Sequence, residues 1–516
     1  MSERVHRSMM NIKVGMLFYF LSLFLSFFSR KIFLDCLGAE FIGLTSMLAN
    51  IMSYLSVAEL GIGTSIVFFL YKPLQEDNHI QINEVMSILA YLYRWIGFII
   101  GGAGLIISLF FPIWFSRLEV GLPFVYFAFY SFLAASMLGY IINFRQLLVS
   151  ANQKQYIVNA YFQSINLSQS VVQILLAYYY KNIYLWVIVG LVFTIIGCVL
   201  FNLHIKKVYP WLNISIIVGR EKIKEYPDIF KKTRQVFIHK IKNLILYHSD
   251  DILVGTFVSI VQVAYYGNYT MITNKFNYLV NILSDGMTAG IGNLVAEGNK
   301  RNTMKVFWEL TAIRFLIIGF VIFPLILFIQ PFIRLWLGSD YCLNDIIIYL
   351  LLFNIFINLS RGVVEMYISA HGLFSDVWTA WTELFLNICL TFCFAPFWGI
   401  IGILSAKILS VFFIAFFWKP FFLFSKGLQI PVSTYWKGMI PFYLIFILFV
   451  GANISIKEII IDNITISLFK LVAYGIAIIV PLLLFYFFVL LYTTKGMKYF
   501  AARNPFFYKH ITKYIK

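Results

Sequence analysis

Charge is what this chain has least of. Asp, Glu, Lys and Arg make up 12% of its 516 residues, against a usual share of about 25% in soluble domains, which excludes an ordinary soluble enzyme. Catalytic signatures are missing as well: the sequence has no Walker, HExxH or GxSxG motif, so ATP-driven pumping by this chain alone is excluded and no catalytic residue is assigned. Its seven histidines (His6, His79, His204, His239, His248, His371, His510) never fall at ligand spacing from cysteines or carboxylates, so no metal site is expected. The five cysteines (Cys36, Cys198, Cys342, Cys389, Cys393) form no CxxC pair, and only the last two would share a helix face. They read as reduced, small apolar residues. No cleavable signal peptide is evident, because the first apolar run, 14–34, is long enough to span and lacks a small-residue cleavage site.

What the chain does have is apolar length. Residues of the AVILMFWYC set make up 61%, and their runs recur at the roughly 20 residues that cross a hydrocarbon core about 30 Å thick. Spans are expected at 14–34, 42–70, 86–110, 122–144, 157–179, 183–204, 236–259, 262–294, 306–330, 343–369, 376–396, 399–424, 436–455 and 465–492. A membrane barrel is excluded because runs such as 346–357 show no period of two. The fold class is therefore all-α, with about 14 transmembrane helices. Aromatic residues, at 19%, fit lipid-facing bulk and interfacial belts.

With an even number of spans both termini share a side, and that side collects 26 of the 40 Lys and Arg, including the cluster from Lys206 to Arg234 and the tail from Lys495 to Lys516. The opposite side holds Arg117, Lys181, Arg334 and Lys457, with Arg30 and Lys31 near a helix end. The positive-inside rule then places both termini in the cytoplasm. The net charge of +17 reflects topology rather than a nucleic-acid surface.

The chain also resembles itself at a shift of 219 residues, which pairs Pro112 with Pro331 and Ser150-Ala151 with Ser369-Ala370. A shift of 220 sets Arg94 against Arg314, and Arg30-Lys31 against Asp250-Asp251. Six helices per repeat gives two pseudo-symmetric six-helix bundles of like orientation around a central cavity, followed by two C-terminal helices. The expected division is 1–205, a basic cytoplasmic linker 206–235, 236–425, and an appendage with a basic tail at 426–516.

Ionisable groups at bilayer depth are costly and so mark either a pathway or a structural ion pair. Arg30 and Lys31 could hold a phosphate or pyrophosphate, or could snorkel to the outer headgroups. Asp250 and Asp251 have no basic neighbour within one turn and read as a structural ion pair, a proton-sensitive switch or an outer-surface pair. Glu59, Lys275, Asp285 and Lys407 also fall inside spans, Arg361 and Glu365 are spaced to pair on one helix face, and Glu383 and Asn387 share a face. The GxG of Gly290-Ile-Gly292 follows no strand, so it reads as close helix approach rather than nucleotide binding.

In order along the chain, Ala58-Glu-Leu-Gly-Ile-Gly63, Leu70-Tyr-Lys-Pro73, Ser249-Asp-Asp-Ile-Leu253, Gly290-Ile-Gly-Asn-Leu294, Pro331-Phe-Ile-Arg-Leu-Trp-Leu-Gly338 and Ala370-His-Gly-Leu373 resemble bacterial polysaccharide and O-antigen flippases of the multidrug/oligosaccharidyl-lipid/polysaccharide (MOP) exporter superfamily. With the first span, the resemblance covers roughly the first 425 residues. It implies transfer of a polyprenyl-pyrophosphate-linked oligosaccharide across the bacterial inner membrane by alternating access, with membrane lipids and a polysaccharide polymerase as partners and no nucleic acid. No cofactor is implied; a proton or sodium ion is the candidate coupling ion. The pyrophosphate would meet Arg30, Lys31, Arg94, Lys275 and Arg314. Coupling or gating would fall to Glu59, Asp250, Asp251, Asp285, Arg361, Glu365 and Glu383, and the sugar would meet Asn50, Asn143, Gln163, Asn166, Gln169 and Asn274. Two alternatives share the fold: a cation-coupled multidrug antiporter, which should favour an acidic cavity, and a peptidoglycan-precursor flippase.

Overall fold

The computed structural model describes residues 3–59, 61–116, 118–152, 154–230, 233, 249–373, 376–461 and 467–503; at 3–9, 11, 12, 58, 64, 281–290, 293, 296, 377 and 468 it describes the backbone alone. Most of the expected span 236–259, the tail beyond Arg503 and the side chain of Asp285 therefore lie outside the described residues. The described residues form helices joined by short turns, and nine stretches are long and apolar enough to cross a membrane.

The difference from fourteen has particular causes. Spans 376–396 and 399–424 fall within one apolar stretch, Trp378–Leu428, of 51 residues. Straight, it would run roughly 75 Å, more than twice the core of a bilayer. It turns back instead: Gly399 takes φ 52° just after Pro396, a Cβ on Gly402 would stand 2.5 Å from the Phe394 carbonyl oxygen, and Lys419 meets Asp376 at 2.6 Å. Two antiparallel crossings result. The expected span 42–70 is broken by a 3-10 turn, Ser56–Glu59, and by Gly61 at φ 98°. Gln155–Tyr180 is long enough but too polar to qualify, and Ile260–Ala296 is not among the nine.

The chain divides into two compact units, Met1–Ala264 and Tyr265–Lys516. In unit 1, α1 (Glu3–Leu37) packs along α6 (Gln155–Tyr180), which packs on α7 (Ile183–Val208). The helices α2 (Ala39–Leu55), α3 (Ile62–Gln75), α4 (His79–Ser108) and α5 (Leu122–Ile141) complete its main bundle. Capping sets the starts: Asn78 accepts from Gln81 N for α4, and Asn182 from Tyr184 N and Leu185 N for α7.

Much of the expected basic linker is strapped onto α4. Its short helix α8 (Ile216–Lys222) brings Gly219 against the Ser87 carbonyl oxygen, so close that no side chain fits there. Asn83 accepts from Asn213 N at 2.9 Å, the Trp211 indole stacks on His79 at 3.8 Å, and Lys222 bridges Glu84 and Glu225. Hydrogen bonds to Glu225 and Glu84 hold the Lys222 ammonium above the ordinary lysine range, while burial raises the Tyr226 phenol.

The unit boundary falls inside α10 (Ile260–Ala296), which follows α9 (Asp250–Phe257). In unit 2, α11 (Lys300–Trp336) is the central helix. It packs on α12 (Asp345–Ser360), α15 (Ser433–Ile456), α17 (Val480–Thr493) and α18 (Lys495–Arg503), while α12 also packs on α14 (Val377–Phe413). Two further helices of this unit are α13 (Gly362–Ala370) and α16 (Leu468–Tyr474). The α18 helix is fastened by Gly496 against the Trp308 carbonyl and by Arg503 to Glu309 at 3.0 Å. Lys457 meets Asp345 at 2.8 Å, tying the end of the α15 segment to the start of α12.

Candidate functional site

One face of α1 is a lipid-type stripe: Leu17, Phe20, Phe24 and Phe28 are exposed, Phe24 by 67%. At helical spacing that stripe continues through Lys31 and Asp35, both exposed. The structure thus gives Lys31 the snorkelling position. On the other side of the helix Ser22, Ser26, Ser29 and Arg30 are partly buried, and the Arg30 guanidinium donates to the Ala264 carbonyl at 2.8 Å. Adjacent in sequence, Arg30 and Lys31 serve different faces.

The break between α2 and α3 makes a second polar centre. Its 3-10 turn presents Glu59, which accepts from the Tyr93 hydroxyl at 2.7 Å. Tyr140 stands edge-on to Tyr93, with centroids 5.7 Å apart. Gly63 is required there, since a Cβ would lie 2.9 Å from the Tyr93 oxygen and 3.2 Å from a Glu59 oxygen. Nothing in the sequence pattern singles out Tyr93. Its importance comes from a neighbour 34 residues away.

Asp250 and Asp251 occupy the first turn of α9, where the positive end of the helix dipole favours carboxylates. Asn50 of α2 donates to Asp251 at 2.8 Å. Arg94 is exposed on α4 beside Trp95 and Ile99, with its guanidinium 5.9 Å from the Phe98 ring centroid. Lys275 is half-buried on α10.

Unit 2 brings four of the expected residues together. Arg361 meets Glu365 at 3.2 Å and Glu383 at 4.0 Å. Glu383 is wholly buried and Arg314 is only 7% exposed. Gly362 makes room for Arg314, because a Cβ there would sit 2.7 Å from its terminal nitrogen, and Glu365 attracts the same guanidinium. Thr379, Glu383, Asn387 and Thr391 form a buried polar row along α14. The pairing of Arg361 with Glu365 follows from their i,i+4 spacing; the recruitment of Glu383 and Arg314 does not, since they come from α14 and α11.

The sugar-facing candidates separate in the same way. Asn143 is buried and donates to the Cys198 sulfur at 3.1 Å, Gln169 donates to Gln173 at 3.4 Å, and Asn274 and Asn166 are exposed. Among the described residues no group of three or more His, Cys, Asp or Glu could hold a metal ion.

Compared with solved structures, the chain is similar to a lipid II flippase, MurJ, in an inward closed conformation. The TM-score is 0.63 at 13% identity, over 93% of this chain and 98% of that one. It is also similar to an inward-facing multidrug resistance MATE family transporter of the MOP superfamily, with TM-score 0.60 and 13% identity over 81% and 98%. A MATE protein in a bent conformation gives 0.52 at 14% identity over 82% and 97%. The chain has the MOP-superfamily fold. It is an all-helical, multi-pass membrane protein. No family model matches the chain, and no match was found among curated protein sequences. At these identities the MOP fold is shared while the chemistry of each site is the chain's own.

Proposed function

We propose that this MOP-fold transporter is a flippase that moves a polyprenyl-pyrophosphate-linked oligosaccharide across the bacterial cytoplasmic membrane by alternating access, with both termini cytoplasmic. The observation that carries the reading is Arg30, on the face of α1 turned away from its lipid stripe, at the end of a row of serines. A pyrophosphate brings about two negative charges and gains most from a guanidinium in a low-dielectric setting. The described carboxylates argue in the same direction. Glu59 accepts from Tyr93, Asp251 from Asn50, and Glu365 and Glu383 face Arg361. Glu59 and Asp251 would have to give up a bound donor to a drug cation, and Glu365 and Glu383 already lie beside the positive charge of Arg361, which weighs against the multidrug alternative. A peptidoglycan-precursor lipid has the same pyrophosphate chemistry, and the sugar it carries is the difference to be tested.

The test is translocation in proteoliposomes. Arg30→Lys should retain part of the activity and Arg30→Ala should lose about tenfold or more, because one charge-assisted contact is worth roughly 1.5–3 kcal/mol. Equal rates for wild type and Arg30→Ala would overturn the proposal. So would a chromosomal deletion, in a strain with no second flippase, that leaves the surface glycan intact.

A further inference from the structure

The middle of α6 does not suit a lipid environment. Six of the eight residues at 163–170 are polar: Gln163, Ser164, Asn166, Ser168, Gln169 and Ser170. They lie 8 to 15 residues into the helix, roughly 12 to 23 Å along it, in the middle of a 26-residue helix long enough to cross a bilayer. None is buried, and Asn166, Ser164 and Ser168 are exposed. Apart from the long contact of Gln169 with Gln173 at 3.4 Å, these side chains make no hydrogen bond among the described residues. The whole helix, Gln155–Tyr180, carries no Asp, Glu, Lys or Arg.

The two edges of this girdle differ chemically. Ser164 and Ser168 continue at helical spacing into the exposed Val171, Leu175 and Tyr178, and a serine hydroxyl can turn back onto a carbonyl of its own helix even in lipid. Gln163 and Asn166, with Asn159 one turn earlier, lie on the other edge; of the three, Asn159 alone has a hydrogen bond among the described residues, accepting from Gln155 Nε2 at 3.2 Å. A side-chain amide has two donors and two acceptor sites, more than its own helix can satisfy. Hydrocarbon cannot satisfy such groups, so this edge requires water or a polar ligand. On the neighbouring α1, the side away from lipid is likewise polar and uncharged at Ser22, Ser26 and Ser29, ending at Arg30.

We propose that the amide edge of α6, formed by Asn159, Gln163 and Asn166, is a hydrated wall that contacts the uncharged, hydroxyl-bearing sugars of the carried lipid. This deepens the flippase reading and rests on it. The occupant is chosen by charge: the helix offers hydrogen-bond donors and acceptors without a cation for uronic or phosphorylated sugars, and without a carboxylate for amines. Sugar hydroxyls, which both donate and accept, match side-chain amides. The anionic end of the cargo would be met elsewhere, at Arg30.

Two measurements on the full-length protein separate the wall from the cargo. The first uses a variant with all five native cysteines changed to alanine and one cysteine introduced, Asn166→Cys, Gln163→Cys or, as the lipid-facing control, Phe24→Cys. A charged methanethiosulfonate needs thiolate and water; it should modify the first two at least about tenfold faster than the third. Reaction at the control rate overturns the hydrated wall, whatever the cargo. The second measures flipping of an undecaprenyl-pyrophosphate-linked neutral disaccharide in proteoliposomes. Gln163→Leu with Asn166→Leu should reduce it about tenfold, and Asn166→Gln should retain most of it. Wild-type rates in the double leucine variant overturn the sugar contact. If the wild-type protein itself moves no such lipid, the flippase reading fails and the sugar assignment with it, while the thiol result still decides whether the edge is wet.

Discussion

Two helices, each following a Ser-Ala pair in its half of the sequence, handle polarity in opposite ways. On α6 the mid-helix amides and hydroxyls are uncharged, at least partly exposed and mostly without a partner among the described residues. On α14 the polar row of Thr379, Glu383, Asn387 and Thr391 is buried and includes a carboxylate facing Arg361, while the exposed positions carry Trp381, Phe385, Phe392 and Phe397. The difference shows that a polar residue in a membrane helix has two stable settings. It is either sealed into a charge network that helps hold helices together, or left on an exposed or half-exposed face without a side-chain partner.

The comparison would be broken most decisively at Glu383. Glu383→Leu should destabilise the detergent-purified protein by about 3 kcal/mol, the order expected when one member of a buried ion pair is removed. An unchanged thermal midpoint would mean that the α14 row does not hold unit 2 together. A smaller loss is expected from Gly362→Ala, whose new methyl would displace the Arg314 guanidinium. The cost should be about 1–2 kcal/mol, read in the same melt and absent if Arg314 is first changed to leucine.

The open helix should behave in the reverse manner. Gln163→Leu and Asn166→Leu remove no hydrogen bond seen among the described residues, so stability should change by no more than about 0.5 kcal/mol while transport falls. A large loss of stability would show that the α6 edge is sealed after all. The smallest effect is expected at a pair that is matched but wet, Glu84 with Lys222 on the strap. Glu84→Gln should leave the melting temperature nearly unchanged. Because the Lys222 ammonium is raised above the ordinary lysine value, its contribution is complete below that range and is lost only as pH rises through it. Protease sensitivity of the 209–226 strap should therefore be flat between about pH 6 and 9; a step in that window would assign the strap to another group.

Some of this was legible from composition and spacing. Apolar runs of bilayer length with little charge require helices, because a backbone in hydrocarbon must satisfy its own hydrogen bonds. The i,i+4 spacing of Arg361 and Glu365 is a local property, and so it reads correctly without a fold. The 42–70 span shows the opposite case. Its apolar residues resume at once beyond the Ser56–Glu59 turn, so the run alone reads as one span, while the partner Tyr93 and the close fit at Gly63 fix the break there. The side of a helix on which a residue stands was also beyond adjacency alone: Arg30 and Lys31 follow one another, yet one donates to Ala264 and the other continues the lipid stripe.

The sequence by itself determined that this chain lives in a membrane and is helical, since both depend on hydrophobic length and low charge, properties summed along the chain. The tertiary structure decided which polar residues are bound and which are open. That choice depends on atoms supplied by distant segments: Glu383 needs Arg361 and the neighbouring helices to be buried at all, while Asn166 is open because no described side chain arrives to meet it.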